Sequence, residues 1–212
     1  MKRRMMTTSR ADGLPGVRHW NLDDGGALTL HEHWLAPAKA EQVFATLLEE
    51  IDWKQRSIRI MGREVLQPRL TAWYGDAAYT YSGVTLAPLP WTPLLSELRD
   101  HLVADVGECF NSVLCNMYRA GADSMGLHSD DEKELGQRPV IASVSFGAAR
   151  LFVLRHKRKK VPPVTVELTH GSLLVMGGTV QAFWKHAVPK DPSTTDPRIN
   201  LTFRRILGPS PA

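Results

Sequence analysis

The spacing of apolar residues predicts two helices in the first half of the chain. Between Pro37 and Ile51 apolar side chains recur every three or four residues and so share one face of a helix. These side chains are Ala40, Val43, Phe44, Leu47, Leu48 and Ile51. Pro37 suits a first helical turn, where the missing N–H of proline leaves no bond unmade. A second helix is predicted from Thr92 to about Val106, with Thr92 as its N-cap and Pro93 following.

Beyond residue 110 the helical spacing stops, and short strand-like runs follow with glycine or proline at most junctions. The predicted strands are Ser112–Arg119, Val140–Phe146, Arg150–Arg155, Val164–Leu168, Ser172–Met176, Phe183–Val188 and Ile199–Ile206. Between the helices we predict a hairpin of Ser57–Met61 and Glu64–Gln67, then strands at Arg69–Tyr74 and Ala78–Tyr81. Many short strands at this spacing are typical of a sandwich or barrel. The predicted fold class is therefore α+β, mainly β, with a jelly-roll-like core.

Length and composition fit one domain. The chain has 212 residues, of which 43% are hydrophobic and 23% charged. Residues 1–15 are predicted to form a flexible polar tail, and residues 16–212 a single domain. No secretory signal is predicted, because no apolar segment follows the basic start, and no membrane span is predicted, because the apolar stretches are too short. Two cysteines are too few for a disulfide framework, and a cytoplasmic location is expected.

Positive charge is concentrated in one run. The net charge is +4 and the isoelectric point is near 9.2, which permits a polyanionic partner without requiring one. Arg155 to Lys160 spell RHKRKK, the densest cationic segment of the chain. Charge alone is equally consistent with a solvated basic loop.

Two histidines and an aspartate suggest a metal site. His128 and Asp130 are two residues apart, so on an extended segment both side chains project to the same face. His186, on a later strand, would complete a two-His-one-carboxylate facial triad with the open positions that an iron(II) oxygenase needs. The motif alone is weak evidence, because the chain has eight histidines and His31-Glu32-His33 offers a competing set.

The segment from Arg198 to Arg204 adds a second feature. It alternates strictly, with apolar Ile199, Leu201 and Phe203 on one face, and Arg198, Asn200, Thr202 and Arg204 on the other. Arginine binds carboxylates through paired N–H bonds, and 2-oxoglutarate carries a carboxylate at each end. A polar face in water is the commoner fate of such a pattern. Asn116 and Tyr118 alternate in the same way ahead of His128, so the three segments are consistent with one pocket.

Several stretches together resemble the AlkB-type dioxygenases, over roughly residues 37 to 206. They are Gln67–Gly75 (QPRLTAWYG), Tyr79–Ser82 (YTYS), Phe110–Tyr118 (FNSVLCNMY), His128–Glu132 (HSDDE), Ile141–Gly147 (IASVSFG), His170–Leu174 (HGSLL) and Arg198–Arg204 (RINLTFR). The likeness is greatest to homologues that act on single-stranded DNA and RNA. It implies a double-stranded β-helix with flanking N-terminal helices, and a β-hairpin nucleotide-recognition lid at about residues 55–91.

The resemblance also implies a cofactor set and a reaction. Iron(II) would be held by His128, Asp130 and His186, with 2-oxoglutarate as co-substrate alongside O2. The residues implied for 2-oxoglutarate are Arg198 at its distal carboxylate, helped by Tyr118 and Asn200, with Asn116, Thr202 and Arg204 completing the site. The implied reaction is oxidative demethylation of 1-methyladenine and 3-methylcytosine in DNA, with RNA left open, releasing formaldehyde, succinate and CO2. Such an enzyme would repair alkylated single- or double-stranded DNA as a monomer, in the cytoplasm, at the nucleoid or in a nucleus.

Contacts to the substrate follow from the same resemblance. A flipped base would stack on Tyr79 or Tyr81, with Trp73 as a further candidate, and ordinary core packing is the alternative for each ring. Its exocyclic amino group would meet Asp131 and Glu132. Contacts to the strands are expected from Met61, Arg69, Arg155 and Lys157, with Met61 as a weak wedge into a duplex.

Three alternatives remain at the level of the sequence. The same catalytic core could hydroxylate a protein or a small molecule. The chain could also be a nucleic-acid-binding module without catalysis, although such a module would not need the triad together with Arg198 and Arg204. A structural zinc site fits least well, because both cysteines lie outside the triad and the arginine-bearing face would have no role.

Overall fold

The computed structural model describes residues 15–60, 63–76, 79–81, 84–86 and 88–207, with side chains outside 58–63 and 77–87. The helices are α1 (Pro37–Glu50), α2 (Pro93–Val106) and the four-residue α3 (Val180–Phe183). The strands are β1 (Val17–Asn21), β2 (Gly26–His31), β3 (Ser57–Ile60), β4 (Arg63–Leu66), β5 (Leu70–Gly75), β6 (Tyr79–Tyr81), β7 (Val84–Leu86), β8 (Ser112–Tyr118), β9 (Met125–His128), β10 (Ile141–Gly147), β11 (Arg150–His156), β12 (Val164–Leu168), β13 (Ser172–Gly178), β14 (Trp184–Val188) and β15 (Arg198–Arg204).

The strands of the described residues form two antiparallel sheets and two hairpins. The larger sheet has seven strands in the order β1-β2-β13-β10-β15-β8-β5, and the smaller has four in the order β12-β11-β14-β9. The hairpins are β3–β4 and β6–β7. One apolar cluster contains side chains of both sheets, including Leu28 and Leu174 from the larger and Leu154 and Val166 from the smaller. The two sheets therefore pack face to face, as a jelly roll requires, and the predicted fold class is confirmed.

The two long helices cover the outer face of the seven-stranded sheet. Ala40, Val43 and Leu47 on α1 are buried, as the apolar spacing predicted, and they join the same cluster as Leu201 and Phe203 of β15. Helix α2 begins as predicted, because the Thr92 hydroxyl accepts a hydrogen bond from the Leu95 N–H at 3.2 Å. With the helices on this face, the opposite face of the sheet is left to line a space between the sheets.

The structure has elements that the patterns did not predict. Strands β1, β2, β7 and β9 were missed, and so was the short helix α3, which overlaps the predicted strand Phe183–Val188 only at Phe183. β9 is the important omission, since it has four residues, one of them Gly126, and too little alternation to detect. The four residues of α3 span about one helical turn, too few for a helical period to show in the sequence.

The predictions of an N-terminal tail and of no membrane span can be compared only with the described residues. The predicted tail at 1–15 lies outside the described residues except for Pro15. Across the residues that are described, no helix has both the length and the apolar character needed to cross a membrane.

Candidate metal centre and co-substrate pocket

Three side chains meet at one point between the sheets. His128 is the last residue of β9 and pairs in register with His186 of β14, while Asp130 follows β9 by two residues. The His128 Nε2 lies 3.9 Å from Asp130 Oδ1, and the His186 Nε2 lies 3.8 Å from Asp130 Oδ2. One ligand atom from each residue falls within 4.8 Å of the others, and no other group of three His, Cys, Asp or Glu in the described residues does so. The predicted triad is therefore assembled, and the His31-Glu32-His33 set is not.

The histidines are held in the form that binds a metal. The His128 Nδ1 lies 2.9 Å from the Gly126 carbonyl oxygen, which can only accept, so Nδ1 carries the proton and the Nε2 lone pair faces Asp130. Burial, followed by the neighbouring His128, lowers the pKa of His186 to about 3. His186 is therefore a neutral imidazole near pH 7, and it is kept in place by stacking on Phe152 at 5.1 Å between ring centroids.

Asp130 is a fully buried carboxylate. Burial alone would raise its pKa, but the positive charge of Arg204 and the two histidines outweigh burial and bring the pKa to about 2. Its Oδ1 accepts a hydrogen bond from Arg204 Nη2 at 2.9 Å, and its backbone N–H donates to Gln181 Oε1 at 2.9 Å. These contacts fix the ionised carboxylate in one orientation.

The donor set fits an iron(II) ion on an observation independent of the motif. Asp130 Oδ2 is buried and has no hydrogen-bond partner among the described residues, although it is the oxygen that faces His186. A buried carboxylate oxygen without a partner is costly, and a cation at this point would remove the cost. Two imidazoles and one carboxylate are the ligands of non-haem iron(II) oxygenases, whereas structural zinc favours four protein ligands.

The polar face of β15 lines the space beside the triad. Arg198, Asn200, Thr202 and Arg204 are all at most 7% exposed, so this face is buried and not solvated. The neighbouring strands continue it in register: Arg198 pairs with Tyr118, Asn200 with Asn116 and with Ser145, and Thr202 with Ser143. The resulting cavity is lined by the four polar residues of β15, by Asn116, Tyr118 and Ser143, by the triad, and by apolar side chains that include Phe152, Leu168 and Met176.

Arg198 is arranged to receive a carboxylate. Its Nη2 donates to Ser145 Oγ at 2.9 Å, while its Nε and Nη1 are buried without a hydrogen-bond partner in the described part of the chain. Burial lowers the pKa of Arg198, and Tyr118 acts in the opposite direction. Both nitrogens can only donate, so a carboxylate of a dicarboxylate co-substrate fits this end of the cavity.

The other predicted 2-oxoglutarate residues are brought together, with partners that the sequence did not show. Asn200 donates from its side-chain amide to Ser143 Oγ at 2.7 Å and accepts from Thr202 Oγ1 at 2.9 Å. Asn116 Oδ1 accepts from Arg69 Nε at 2.8 Å. Ser143 and Ser145 were missed, although their alternation in the predicted strand Val140–Phe146 was the available signal. Gln181 was missed because its role arises only from the fold.

The predicted base-contacting residues have mixed outcomes. Trp73 is 1% exposed and packs with Leu114, Leu135 and Ile206, so it belongs to the core and is not placed to stack on a base, contrary to that suggestion. The side chains of Tyr79 and Tyr81 lie outside the described residues, and their contact with a base stays a prediction. Asp131 is exposed, next to the triad, and Glu132 is half-buried beside it.

The predicted strand contacts also differ from one another. Met61 lies outside the described residues. Arg69 is 3% exposed and bonded to Asn116, so it lies in the interior and not on a surface where phosphates could reach it. Arg155 is exposed on β11, opposite Lys185 of β14. Lys157 is engaged within the protein, donating to Asp131 Oδ2 and to the Gln181 carbonyl, both at 2.8 Å.

A jelly roll that encloses a two-His-one-carboxylate triad beside a buried arginine defines the class of iron(II)- and 2-oxoglutarate-dependent oxygenases. Comparison with known proteins agrees: residues 27–204 match the model of the family described as the 2OG-Fe(II) oxygenase superfamily. The chain belongs to this superfamily and, within it, to the AlkB-type dioxygenases.

The relatives are similar over most of the chain. The human protein named "Alpha-ketoglutarate-dependent dioxygenase alkB homolog 3" is 45% identical over 205 residues, which cover 90% of this chain and 71% of that protein. Its bovine counterpart is 47% identical over 180 residues, 79% of this chain and 62% of that protein. The human "DNA oxidative demethylase ALKBH2" is 43% identical over 182 residues, 80% of this chain and 70% of that protein. A solved structure, "The structure of OsALKBH1", shares the fold with a TM-score of 0.58 at 16% identity, covering 88% of this chain and 99% of that one.

Proposed function

We propose that this protein oxidatively removes N-alkyl groups from 1-methyladenine and 3-methylcytosine in DNA and in RNA. The reaction consumes O2 and 2-oxoglutarate and releases formaldehyde, succinate and CO2. The observation that carries the proposal is a cavity lined by both the triad and Arg198, with two guanidinium nitrogens of Arg198 that lack a hydrogen-bond partner among the described residues. The nucleic-acid substrate is supported by the relatives, one of which is named a DNA oxidative demethylase.

Each group of the cavity has a chemical task. His128, Asp130 and His186 would hold iron(II), which with O2 and 2-oxoglutarate would supply the oxidant for hydroxylation of an N-methyl carbon. Arg198 binds the distal carboxylate. Beside it on β15, the Asn200 side chain is held by hydrogen bonds with Ser143 and Thr202. The apolar side chains that line the cavity, including Phe152, Leu168 and Met176, limit the access of water to the reacting carbon. The hydroxymethyl product then loses formaldehyde and leaves the unmodified base.

The rim beside the triad provides an anionic group for a cationic lesion. Asp131 is held by Lys157 Nζ at 2.8 Å and by Ser129 Oγ at 3.0 Å, and these bonds lower the pKa of its carboxyl against the raising effect of burial. An ionised carboxylate at this position would accept a hydrogen bond from the exocyclic amino group of adenine or cytosine. A methylated base carries a positive charge and would be favoured over the unmodified base.

The outer surface of the smaller sheet provides cations for the backbone. Arg155 and Lys185 face one another on neighbouring strands, and no ion pair to either is found among the described residues. Like charges directly opposite one another are unfavourable in a sheet, and phosphates would neutralise both. Lys157, by contrast, serves Asp131. We propose that the protein acts as a monomer. We also propose that it acts in the compartment that holds its nucleic-acid substrate.

The decisive test is formaldehyde release from oligonucleotides that carry 1-methyladenine or 3-methylcytosine. Protein purified without oxygen is supplied with iron(II), ascorbate and 2-oxoglutarate, and then exposed to O2. We expect release from single strands that stops when iron, 2-oxoglutarate or O2 is withheld. Asp130→Asn is the matched control, since it keeps the shape of the side chain and removes the charge that binds iron.

Each other outcome has a distinct meaning. Succinate formed at the same rate with and without oligonucleotide, and no formaldehyde, would keep the oxygenase and overturn the nucleic-acid substrate. Neither product from folded, iron-loaded protein would overturn catalysis and favour a binding module. Comparison of single strands with duplexes, and of DNA with RNA, then measures strand preference.

A further inference from the structure

Arg150 is a buried cation next to the cavity with no role in the chemistry described above. It is the first residue of β11 in the smaller sheet and is 2% exposed. The central carbon of its guanidinium lies 5.7 Å from the centroid of the Tyr118 ring, and that of Arg198 lies 5.2 Å from the same centroid. Two guanidiniums from opposite sheets therefore meet at one ring, beside the end of the cavity that fits the distal carboxylate.

Arg150 is bonded to backbone carbonyls of the described residues. Its Nη2 donates to the carbonyls of Pro189 at 2.6 Å and Asp123 at 3.0 Å, and its Nη1 donates to that of Ala120 at 3.5 Å. Its charge acts on the carboxyls of Asp123 and Asp191, but no ion pair to Arg150 is found within the described residues. A buried guanidinium bonded to neutral carbonyls is costly, and an anion nearby reduces that cost.

The three carbonyls belong to segments that lead into the functional strands. Ala120 and Asp123 lie in the turn between β8, which carries Tyr118, and β9, which ends at His128. Pro189 directly follows β14, which carries His186. Arg150 therefore ties together the two connections on either side of the cavity, and it does so from the sheet opposite Arg198.

We propose that Arg150 is a positioning residue for 2-oxoglutarate, which holds Tyr118 and the adjoining turns in place and adds a second positive charge behind the distal carboxylate. Two cations at one end of a buried cavity attract a dicarboxylate more strongly than a 2-oxo acid with a single carboxylate. Arg150 thereby helps to select the co-substrate. The inference rests on membership of the oxygenase family and is independent of the nucleic-acid substrate.

The test compares two co-substrates that differ only at the distal end. Iron-loaded protein is titrated without oxygen with 2-oxoglutarate or with 2-oxopentanoate, which lacks the distal carboxylate, and chelation is followed by its visible charge-transfer absorbance. We expect Arg150→Met to weaken 2-oxoglutarate binding on the order of tenfold and 2-oxopentanoate binding by less than about twofold. In turnover, KM for 2-oxoglutarate should rise while kcat at saturation is kept. Arg150→Lys, which keeps the charge, should retain most of the preference.

Two controls separate the charge from the fold of the turn. Arg119→Met removes the ion pair to Asp123 in the same turn and keeps Arg150, so the preference for 2-oxoglutarate should be unchanged. Arg198→Met should lose most of the preference, since only the charge of Arg150 then remains at that end of the cavity. Equal weakening of both ligands by Arg150→Met, or no weakening of either, would overturn the proposal. If Arg150→Met does not fold, Arg150→Gln is compared with Arg150→Lys, and an equal preference in the two variants overturns it.

Discussion

Asp130 has a different task for each carboxylate oxygen. Oδ1 accepts a hydrogen bond from the buried Arg204, while Oδ2 faces His186 and has no hydrogen-bond partner in the described residues. The first oxygen contributes to the stability of the fold, and the second is available to a metal ion. His128 contributes less to the core by comparison, since its side chain is 20% exposed and its ring is hydrogen-bonded to the Gly126 carbonyl at 2.9 Å.

Substitution of these two metal ligands should therefore have different effects on stability. His128→Ala and Asp130→Ala should each lose iron and lower turnover by a factor of about 10² or more. Asp130→Ala also removes the carboxylate that faces Arg204 in the interior, so it should lower the free energy of unfolding of the metal-free protein by about 3–5 kcal/mol. For His128→Ala the loss should be below about 1 kcal/mol. Urea unfolding of both variants measures this, and equal stabilities would contradict the structural role of the Asp130–Arg204 pair.

At the scale of elements, the turn between β8 and β9 determines where the triad lies. Asp123 accepts from Arg119 three times: from the backbone N–H at 2.9 Å, from Nε at 2.8 Å and from Nη2 at 2.9 Å. Its backbone carbonyl accepts from Arg150 at 3.0 Å. Burial would raise the pKa of Asp123, but the hydrogen bonds from Arg119 outweigh burial and lower the pKa below its usual value. The turn is thus closed by an ionised carboxylate.

The stability that Asp123 contributes should depend on pH in a defined direction. A carboxyl with a folded pKa below its unfolded value of about 3.9 stabilises the fold fully above that value, and the contribution is lost as pH falls through the lower folded pKa. Asp123→Asn should lower the free energy of unfolding by about 1–3 kcal/mol at pH 7, and the difference from the unchanged protein should shrink below about pH 4. Urea unfolding at pH 7, 5 and 3 measures this difference. A difference of the same size at pH 3 would show that shape and not charge closes the turn.

At the scale of the molecule, the ligands of the cavity should hold the two sheets together. The triad draws on strands of the smaller sheet, and Arg198 lies on the larger sheet, so iron and 2-oxoglutarate bound together bridge the two. A ligand that binds only the folded state stabilises it by about 2.7 kcal/mol at one hundred times its Kd. For a chain of this length that corresponds to an increase in Tm of about 5–10 °C.

Thermal unfolding with and without metal and 2-oxoglutarate measures this bridging. Manganese(II) is a suitable substitute for iron(II) here, because it binds similar ligands and resists oxidation by air. We expect the increase in Tm from 2-oxoglutarate to require the metal, and to disappear in His128→Ala. An equal increase without metal would mean that the dicarboxylate binds outside the site formed by the triad.

Much of the architecture could be predicted because it depends on local patterns. The apolar spacing of α1, the Thr92 cap of α2 and the alternation of β15 each express a period within one segment. The metal ligands could be proposed from their residue types and spacing, but only the fold, which brings His128, Asp130 and His186 together, excluded the competing set His31-Glu32-His33. β9 was missed because a strand of four residues that includes a glycine is too short to show such a period.

The tertiary structure alone decided which polar groups are buried and which partners they take. The sequence determined that Arg198 and Arg204 share one face of a strand, but not that the face is enclosed or that Arg204 bonds to Asp130, 74 residues away. Likewise, Arg69 and Trp73 have the residue types of surface contacts, yet both are buried by the packing of β5 and its neighbours. Contacts between distant segments depend on how the sheets pack, and a local period carries no information about the partner across the space between them.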